Sequence, residues 1–562
     1  GTTYLGLMEL KILALLNLEK LNEVTLASRE AINILDSLKI EYQYSSDKIN
    51  LFEKTFPLFE STLEANYLNF KRTGNPEILN DVFFFIEKSK SVLLMEALKA
   101  SKADQFGQVP DSLIEKERLL RFEITLMEKE FENNINGVTE IKNKIFDLKE
   151  KQAGLIKMIS TNYPDYYSLR YDNSTVDYNI FSDSLGNDDS MISYFYGNKA
   201  IYALLVNSNT KNIIRIPIDS ELETSIIKVY RMLSDPKSDI AVLGQESYNI
   251  YKCLLAPILK SHNHKKLVII TDGLLNYIPF SALNTNPEGL TYLAENHSIS
   301  YVNSATLLTE LQERQPKEHT ILAFAPSFDG TANVTNINRG KLLPLPNNKK
   351  EVEQILTSFN GSSFKDAEAT LQNFKSHLSS FGMVHLATHA IFDDTAPEYS
   401  YLAFSQNKSQ DEDLLYVADL YNLKVDADLV TLSACESGLG DLKRGEGFMG
   451  LARGFFYSGA ASIASTLWKI NDASSATLMS GFYKNLSRGD AKDLALQRAQ
   501  IEFLNTHRDN GLSHPYYWSG FVISGSTVPL ATSYNWIWII IGTIILLTGG
   551  FYYFIARKKR RA

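Results

Sequence analysis

Beyond residue 190 the chain carries a series of short, mostly apolar runs, and this series most constrains its fold. Runs of five or six such residues that end at a polar turn are typical of buried parallel strands. They are Lys266–Thr271, Thr320–Ala325, Met383–Thr388, Leu429–Ser433 and Ser462–Thr466. Segments with helical periodicity separate most of them, at 348–359, 370–379 and 446–457. The alternation predicts an α/β sandwich with a mostly parallel sheet.

The first part of the chain has a different pattern. Residues 1–105 carry apolar residues at helical spacing, and their short polar connections include Arg72–Pro76. Antiparallel helix pairs of this size are typical of stacked tetratricopeptide-like repeats, and a single helical bundle is the alternative. Because one such unit cannot bury its apolar face alone, we expect further repeats before residue 1. Residues 106–165 are charged and helical, which predicts a long helical hairpin with a solvated face.

Two of the predicted strands deliver reactive side chains at their carboxyl ends. His389 follows Met383–Thr388 and Cys435 follows Leu429–Ala434, so the two residues lie 46 positions apart. Because side chains beyond neighbouring parallel strands meet at one edge of a sheet, we expect a thiol nucleophile and its imidazole base. The backbone N–H groups of Ala390 and Cys435 are the candidate oxyanion donors.

Three acidic residues are candidates for lining a substrate pocket, and either Asp272 or Asp394 could give that pocket a preference for Lys or Arg. Asp272 ends a predicted strand, Asp394 follows the candidate base, and Glu446 opens a helix. Each also has an ordinary structural interpretation, because aspartate commonly caps turns and glutamate stabilises helix N-termini. For Trp468 and Asp472, lining the cleft and capping a loop remain equal alternatives.

Six blocks of sequence resemble one known family. The chain is similar to the CHAT domain in VHLATHAIFDD (384–394), LVTLSACESGLG (429–440) and RGEGFMGLARGFFYSGAASIASTLWKIND (444–472). It is also similar in ITDGLLNYIPFSAL (270–283), LPLPNNKKEVEQI (343–355) and HPYYWSGFVISG (514–525). The CHAT domain is a caspase- and separase-like group of peptidases usually found behind tetratricopeptide repeats.

The resemblance implies a caspase-like fold with a degenerate first lobe at 190–315 and an active second lobe at 318–526. It places the family's catalytic histidine on His389 and its cysteine on Cys435. Two positions depart from the family pattern: Ala390 stands where glycine is usual, and Ser437 where threonine is common.

Other kinds of site are less favoured. His385 and His389 form an H-x-x-x-H pair, but no further ligand accompanies them at metal-binding spacing, so we expect no metal or organic cofactor. His385 is better interpreted as a buried, hydrogen-bonded residue, and Cys253 as part of the core. With 56 basic and 65 acidic residues the net charge is −9, so we expect no nucleic-acid partner.

The C-terminal segment predicts a membrane anchor. Residues 536–555 are uncharged, long enough to cross a bilayer, and followed by a basic tail at 557–562. Because such cations tend to stay in the cytoplasm, the catalytic part is expected to be periplasmic or extracytoplasmic, on a processed chain. A tail anchor with a cytoplasmic catalytic part is the alternative.

Three functions therefore remain open. The first is a cysteine endopeptidase that cleaves protein substrates and is regulated by a protein bound to the helical repeats, with membrane lipid as a further partner. The second is a catalytically silent, membrane-anchored caspase-like scaffold. The third is a surface adhesion or structural repeat protein.

Overall fold

A computed structural model of the 562-residue chain shows four N-terminal helices, then a helical hairpin, and then a large mixed sheet covered by further helices. It describes residues 2–41, 45–90, 93–96, 98–100, 108–133, 138–259, 264–314, 317, 319–328, 342–393, 399–406, 413–434, 441–443 and 447–530. The first helices are α1 (Thr2–Asn17), α2 (Leu21–Glu41), α3 (Ser45–Thr73) and α4 (Ile78–Lys88). They form successive antiparallel neighbours, with α1 packing on both α2 and α3.

A second helical region follows. Its helices are α5 (Asp111–Asn133), α6 (Val138–Asn162), α7 (Pro164–Arg170) and α8 (Tyr178–Ser184). The long helices α5 and α6 pack side by side, and the Lys149 ammonium lies 2.7 Å from the Glu128 carboxylate. Val109, Leu155, Ile159 and Tyr166 form a small core of their own. The hairpin is therefore stabilised separately from the main core.

The rest of the chain alternates strands and helices. The strands are β1 (Asp189–Tyr196), β2 (Ala200–Val206), β3 (Lys211–Pro217), β4 (Lys266–Ile270), β5 (Ser298–Tyr301), β6 (Ile321–Pro326), β7 (Gly361–Asp366), β8 (Met383–Ala387), β9 (Ala390–Ile391), β10 (Tyr401–Ala403), β11 (Leu414–Tyr416), β12 (Leu429–Ser433), β13 (Asp441–Lys443), β14 (Gly447–Met449), β15 (Ser462–Thr466) and β16 (Phe521–Gly525). The helices are α9 (Ser220–Leu233), α10 (Ile240–Leu254), α11 (Ala256–Leu259), α12 (Ala305–Gln312), α13 (Asn348–Ile355), α14 (Leu371–His377), α15 (Val417–Leu420), α16 (Leu451–Tyr457), α17 (Asp472–Ser487) and α18 (Lys492–His507).

The main sheet has two parallel blocks that run in opposite directions. Its strand order is β3-β2-β1-β4-β5-β16-β15-β12-β8-β6-β7. Strands β1, β4, β5 and β16 are parallel to one another, and so are β15, β12, β8, β6 and β7. The blocks meet where β15 and β16 pair antiparallel. As a result, the carboxyl ends of β4 and β8 lie at opposite edges of the sheet.

Helices cover both faces of this sheet, as its apolar strands require. One face packs against α13, α17 and α18, where Tyr483, Phe482 and Leu429 are fully buried. The other face packs against α16 and also against the N-terminal helices. A helical N-terminal part followed by a mixed α/β sheet agrees with the fold class that the sequence predicts.

The N-terminal helices share a single hydrophobic core with the sheet. Residues of α1 to α4 and residues of β1, β2, β8 and β12 belong to the same buried cluster. Phe56 of α3 stacks on Phe195 of β1 with ring centroids 4.6 Å apart. The first four helices are thus an integral layer of the α/β structure.

Buried carboxylates reinforce this contact by accepting backbone hydrogen bonds from the α/β part. Glu60 of α3 accepts from the N–H groups of Asn198, Lys199 and Ala200, at 3.0, 2.7 and 3.4 Å, in the turn between β1 and β2. In the same turn, a Cβ on Gly197 would lie 2.7 Å from the backbone oxygen of Ala200 and would also clash with Glu60 Oε1, so glycine is required there. The turn and the helix therefore fit together closely.

Glu87 of α4 makes a second contact of this kind. Its carboxylate accepts from the N–H groups of Ala305 and Thr306, at 3.0 and 2.8 Å, at the first turn of α12. Burial raises the pKa of Glu87, while these hydrogen bonds oppose that shift. The carboxylate stabilises the N-terminus of α12 from outside the helix.

The predicted membrane location is contradicted. Across the residues that the structure describes, no helix combines the length and the apolar character that a bilayer crossing requires. The predicted span at 536–555 and the basic tail at 557–562 lie outside those residues. An uncharged run of 20 residues satisfies a length criterion, but length alone does not establish a membrane helix. We therefore withdraw both the single-pass topology and its tail-anchored alternative.

Replacing Glu60 tests how strongly the helical layer is docked. Glu60→Ala leaves three backbone donors without their acceptor, so we expect it to lower the free energy of unfolding by about 3 kcal/mol. Glu53→Ala removes an exposed carboxylate from the same helix and should change stability by less than about 0.5 kcal/mol. Urea unfolding of the full chain measures both. Equal effects of the two variants would contradict the docking role.

Candidate functional site

The candidate site is built on two neighbouring parallel strands. Strand β12 pairs with β8 in a continuous register from Leu429↔Met383 to Ser433↔Ala387. The ladder continues past β8, because the Thr388 N–H donates to Ser433 O across 3.3 Å. The last residues of the two strands are therefore paired, and both strands end at the same edge of the sheet.

The residue before the predicted nucleophile is held at this edge. Ala434 is buried, and its carbonyl accepts a hydrogen bond from the Thr466 hydroxyl of β15. The chain is thus held in place up to residue 434. Three predicted site residues, Cys435, Asp394 and Glu446, lie outside the residues that the structure describes.

His389 stands at the end of β8 as predicted from the sequence, and its surroundings fix its tautomer. Its Nε2 lies 2.7 Å from the carbonyl oxygen of Leu343. Because a carbonyl can only accept, Nε2 carries the hydrogen and Nδ1 is left as the basic nitrogen. The ring of Phe328 lies 4.8 Å away between centroids. The imidazole is therefore oriented by a backbone group and an aromatic ring.

The electrostatic surroundings favour the neutral imidazole. The pKa of His389 is lowered, chiefly because burial disfavours the imidazolium ion. The hydrogen bond to Leu343 opposes this shift, the positive charge of Lys469 adds to it, and the negative charge of Asp472 opposes it. A neutral imidazole is the form that can accept a proton.

Asp472 anchors the loop that holds His389. Its Oδ2 accepts from the backbone N–H of Asn347 at 2.8 Å and from the Asn347 side-chain amide at 2.7 Å. The next residue, Asn348, donates from its side chain to Pro326 O at 2.9 Å and to Ala387 O at 3.3 Å. Of the two alternatives left open for Asp472, these contacts favour loop anchoring.

Trp468 is a core residue. Its side chain is buried, and its indole N–H donates to the carbonyl of Tyr516 at 3.1 Å.

A network of buried polar side chains links the two strands to the helices that cover them. His385 Nε2 lies 2.9 Å from Glu351 Oε1, and His385 Nδ1 lies 3.2 Å from the hydroxyl of Tyr483. That hydroxyl donates to Thr431 Oγ1 at 2.8 Å, which links β8, β12, α13 and α17. All four side chains are buried. This confirms His385 as a buried, hydrogen-bonded residue.

The backbone geometry at Ala390 suits an oxyanion donor. The Ala403 N–H donates to His389 O at 3.0 Å, and Ala390 faces Leu402 in the next pair of the ladder. Hydrogen-bonded and non-hydrogen-bonded pairs alternate in antiparallel strands. The N–H of Ala390 therefore points away from β10.

The structure does not bring Asp272 to the site. Asp272 follows β4, whose carboxyl end lies at the edge of the sheet opposite to that of β8. Its carboxylate accepts from the N–H groups of Tyr196 at 2.8 Å and Gly273 at 3.0 Å, and lies 2.9 Å from the Lys90 ammonium. Both charged side chains are buried, and burial lowers the pKa of Lys90. Asp272 thus joins the N-terminal helices to the sheet.

The second cysteine is in a different setting. Cys253 of α10 is partly buried and packs against the core on the α17 side of the sheet. Burial raises the pKa of its thiol, which reduces the thiolate fraction. Core packing, as expected from the sequence, describes it well.

Two contributions to the site had no usable sequence signal. One is the carbonyl oxygen of Leu343, because any residue provides a backbone carbonyl. The other is the charge of Lys469, since an exposed lysine is ordinary on a surface. The proline-containing loop 342–347 belonged to a recognisable block, but its role toward His389 appears only in the structure.

Comparison with known proteins supports a family assignment. A model of the CHAT domain matches residues 245–526. Tetratricopeptide repeat protein 28 of Mus musculus is 24% identical over an aligned length of 305 residues, and the match covers 48% of this chain and 12% of that protein. The Homo sapiens protein of the same name is 24% identical over 306 residues, with the same coverage. The match thus spans only a small part of these relatives.

Two solved structures show limited similarity. The separase–securin complex of Saccharomyces cerevisiae, at 3.0 Å resolution, has a TM-score of 0.43 and 8% identity, covering 94% of this chain and 48% of that chain. The Arg-specific cysteine proteinase gingipain R has a TM-score of 0.34 and 8% identity, covering 56% and 75%. Neither likeness is strong enough to support a functional argument.

The family match is much more informative, since it covers half of the chain. It includes β8, β12, His389 and the described loop that holds His389. A helical region precedes this domain, and the curated relatives are tetratricopeptide repeat proteins. The chain belongs to the CHAT domain family.

Proposed function

We propose that this protein is a cysteine endopeptidase in which Cys435 is the nucleophile and His389 its base. The observation that carries the proposal is the register of the two strands. Each paired residue of β12 lies 46 positions after its partner in β8, and Cys435 lies 46 positions after His389. Neighbouring strands are about 4.8 Å apart. A ladder continued by two residues would set the thiol beside the imidazole.

The proposed reaction uses both groups twice. His389 Nδ1 takes the proton of the Cys435 thiol, and Sγ attacks the peptide carbonyl to form a tetrahedral intermediate. The C–N bond then breaks, and the imidazolium gives that proton to the leaving amine. A water molecule attacks the thioester while His389 accepts its proton. Release of the carboxylic acid returns a proton to Sγ and restores the enzyme.

The oxyanion would be held by backbone donors. The N–H of Ala390 points away from β10, and we propose that it acts together with the N–H of Cys435. Alanine in place of the usual glycine keeps this donor. The pocket roles of Asp394 and Glu446 remain predictions, because neither residue is among those described.

Regulation through the N-terminal helices is part of the proposal. Helices α1 and α2 expose Leu7, Leu10 and Leu26, each more than half accessible, which favours a protein partner on this side. No nucleic acid and no cofactor are proposed. Because the helices share a core with the sheet, experiments on activity require the full chain.

Covalent labelling separates the peptidase from a silent scaffold. The full chain is treated with a thiol-directed peptidyl electrophile and the modified cysteine is found by mass spectrometry. We expect labelling in the wild type and in Cys253→Ala, its loss in Cys435→Ala, and a decrease of about 10²-fold or more in peptide cleavage by His389→Ala. Labelling of Cys435 that is unchanged in His389→Ala would favour the scaffold.

The charge of Lys469 provides a test of the base by pH. Removing this cation relieves the imidazolium of repulsion and raises the pKa of His389. A larger fraction of His389 is then protonated at a given acid pH. We therefore expect Lys469→Gln to move the acid limb of kcat/KM to higher pH, and high salt to reduce the difference from wild type.

The matched control removes another exposed lysine. Lys484 lies in α17, twelve residues beyond Asp472, so its replacement by Gln should leave the acid limb in place. A shift of the limb to lower pH in Lys469→Gln would contradict the proposed role of His389.

A further inference from the structure

His389 lies on the apolar face of a small three-stranded sheet. Strand β10 pairs antiparallel with both β9 and β11. Because side chains alternate along a strand, His389 and Ile391 point to the same face. In register, Tyr401 lies opposite Ile391, and Ala403 faces His389. The imidazole therefore continues an apolar surface.

Residues from outside this sheet complete the surface. Phe328 and Leu342 pack against a buried cluster formed by Tyr401, Ala403 and Leu414. The next residue, Leu343, holds His389 through its carbonyl, while its side chain remains 60% exposed. Ile391 is 37% exposed. Two exposed aliphatic residues thus lie next to His389, one sharing its face of the sheet and one bonded to its imidazole through a backbone carbonyl.

The chemistry of peptide cleavage indicates which residue of a substrate would lie against this surface. The group that protonates the leaving amine must lie on the side of the scissile bond where the new amino terminus forms. Nδ1 of His389 is the nitrogen available for this step, since Nε2 is bonded to Leu343. Side chains beside the imidazole are therefore placed to meet the residue directly after the scissile bond.

We infer that Leu343, Ile391 and Phe328 form a subsite for an apolar side chain immediately after the scissile bond. This inference rests on the proposed peptidase function. The preferred substrates carry Leu, Ile, Met or Phe at that position. Apolar pockets of this kind discriminate by about tenfold between a large aliphatic side chain and a small one. The three side chains of the subsite are uncharged, and the two described charges that act on His389, those of Lys469 and Asp472, are opposite in sign.

The test uses the full chain and a peptide library derived from a whole proteome. Sequencing of the new amino termini identifies the residue after each cut. We expect Leu, Ile, Met and Phe to be enriched there by about tenfold over Ser and Gly. Cuts that persist in Cys435→Ala are subtracted. A wild-type profile without this enrichment overturns the subsite.

Variants then connect the preference to these residues. Two matched peptides, one with Leu and one with Ser directly after the scissile bond, give a ratio of kcat/KM values that measures the preference. We expect Leu343→Ser and Ile391→Ser each to reduce this ratio by about threefold or more. Leu343→Arg should favour Asp or Glu at this position, a gain that a merely structural role cannot produce. Leu119→Ser, which replaces a similarly exposed leucine in α5, should leave the ratio unchanged.

The outcomes separate the two levels of the proposal. If cleavage depends on Cys435 but its preference is unchanged in both Leu343→Ser and Ile391→Ser, the subsite is wrong. The proposal that the protein is a peptidase is then unaffected. Absence of any Cys435-dependent cleavage removes the peptidase and the subsite together. Circular dichroism of each variant, matching the wild type, ensures that a change in ratio reports on recognition and not on folding.

Discussion

The parallel pairing of β8 with β12 is the interaction on which the site depends. Both strands lie inside the sheet, between β6 and β15, and are buried on both faces. A slip of one residue would turn every side chain of a strand to the opposite face. His385 and Thr431 would then lose their shared contact with Tyr483. Packing in the core thus determines the register of the two strands. The register in turn determines which residues come next to each other where the strands end.

The edge of the sheet is also held beyond the strands themselves. Thr388 binds Ser433, and Thr466 binds Ala434, so three strands are tied where they end. On the other side of His389, Asp472 anchors the loop that supplies the carbonyl of Leu343. The imidazole is therefore oriented by contacts that originate in β8, α17 and the loop before α13. Such support is what a general base requires, because its reach to a proton is short.

The N-terminal helices are coupled to the α/β part by more than a linker. A shared core, the carboxylates of Glu60 and Glu87, and the buried pair of Lys90 and Asp272 connect the two. The polar contacts among these reach the turn after β1, the end of β4 and the start of α12, at the edge opposite to that of His389. A partner that displaces the helices would disturb the sheet itself. This arrangement differs from independent repeats joined flexibly to a catalytic domain.

Much of this architecture could be predicted from the sequence, and the reasons for the remainder are physical. Strands β4, β6, β8, β12 and β15 are largely buried and most of them are rich in apolar residues, so their positions and the location of His389 could be predicted from the local sequence pattern. The reversal between the two blocks depends on β16, whose pairing with β15 and β5 is non-local and carries no pattern of its own. That reversal is why Asp272, although it ends a strand, lies far from His389. The carbonyl of Leu343 had no sequence signal, because only the fold brings it to the imidazole.

The central claim, that positions 389 and 435 stand opposite one another, can be measured with a disulfide. In the variant His389→Cys, two cysteines on neighbouring strands would have Cα atoms about 5 Å apart, within the range that a disulfide spans. After mild oxidation of the full chain, mass spectrometry should detect a peptide pair joined through residues 389 and 435. A chain in which residue 389 stays reduced, or is joined to Cys253, would contradict the account.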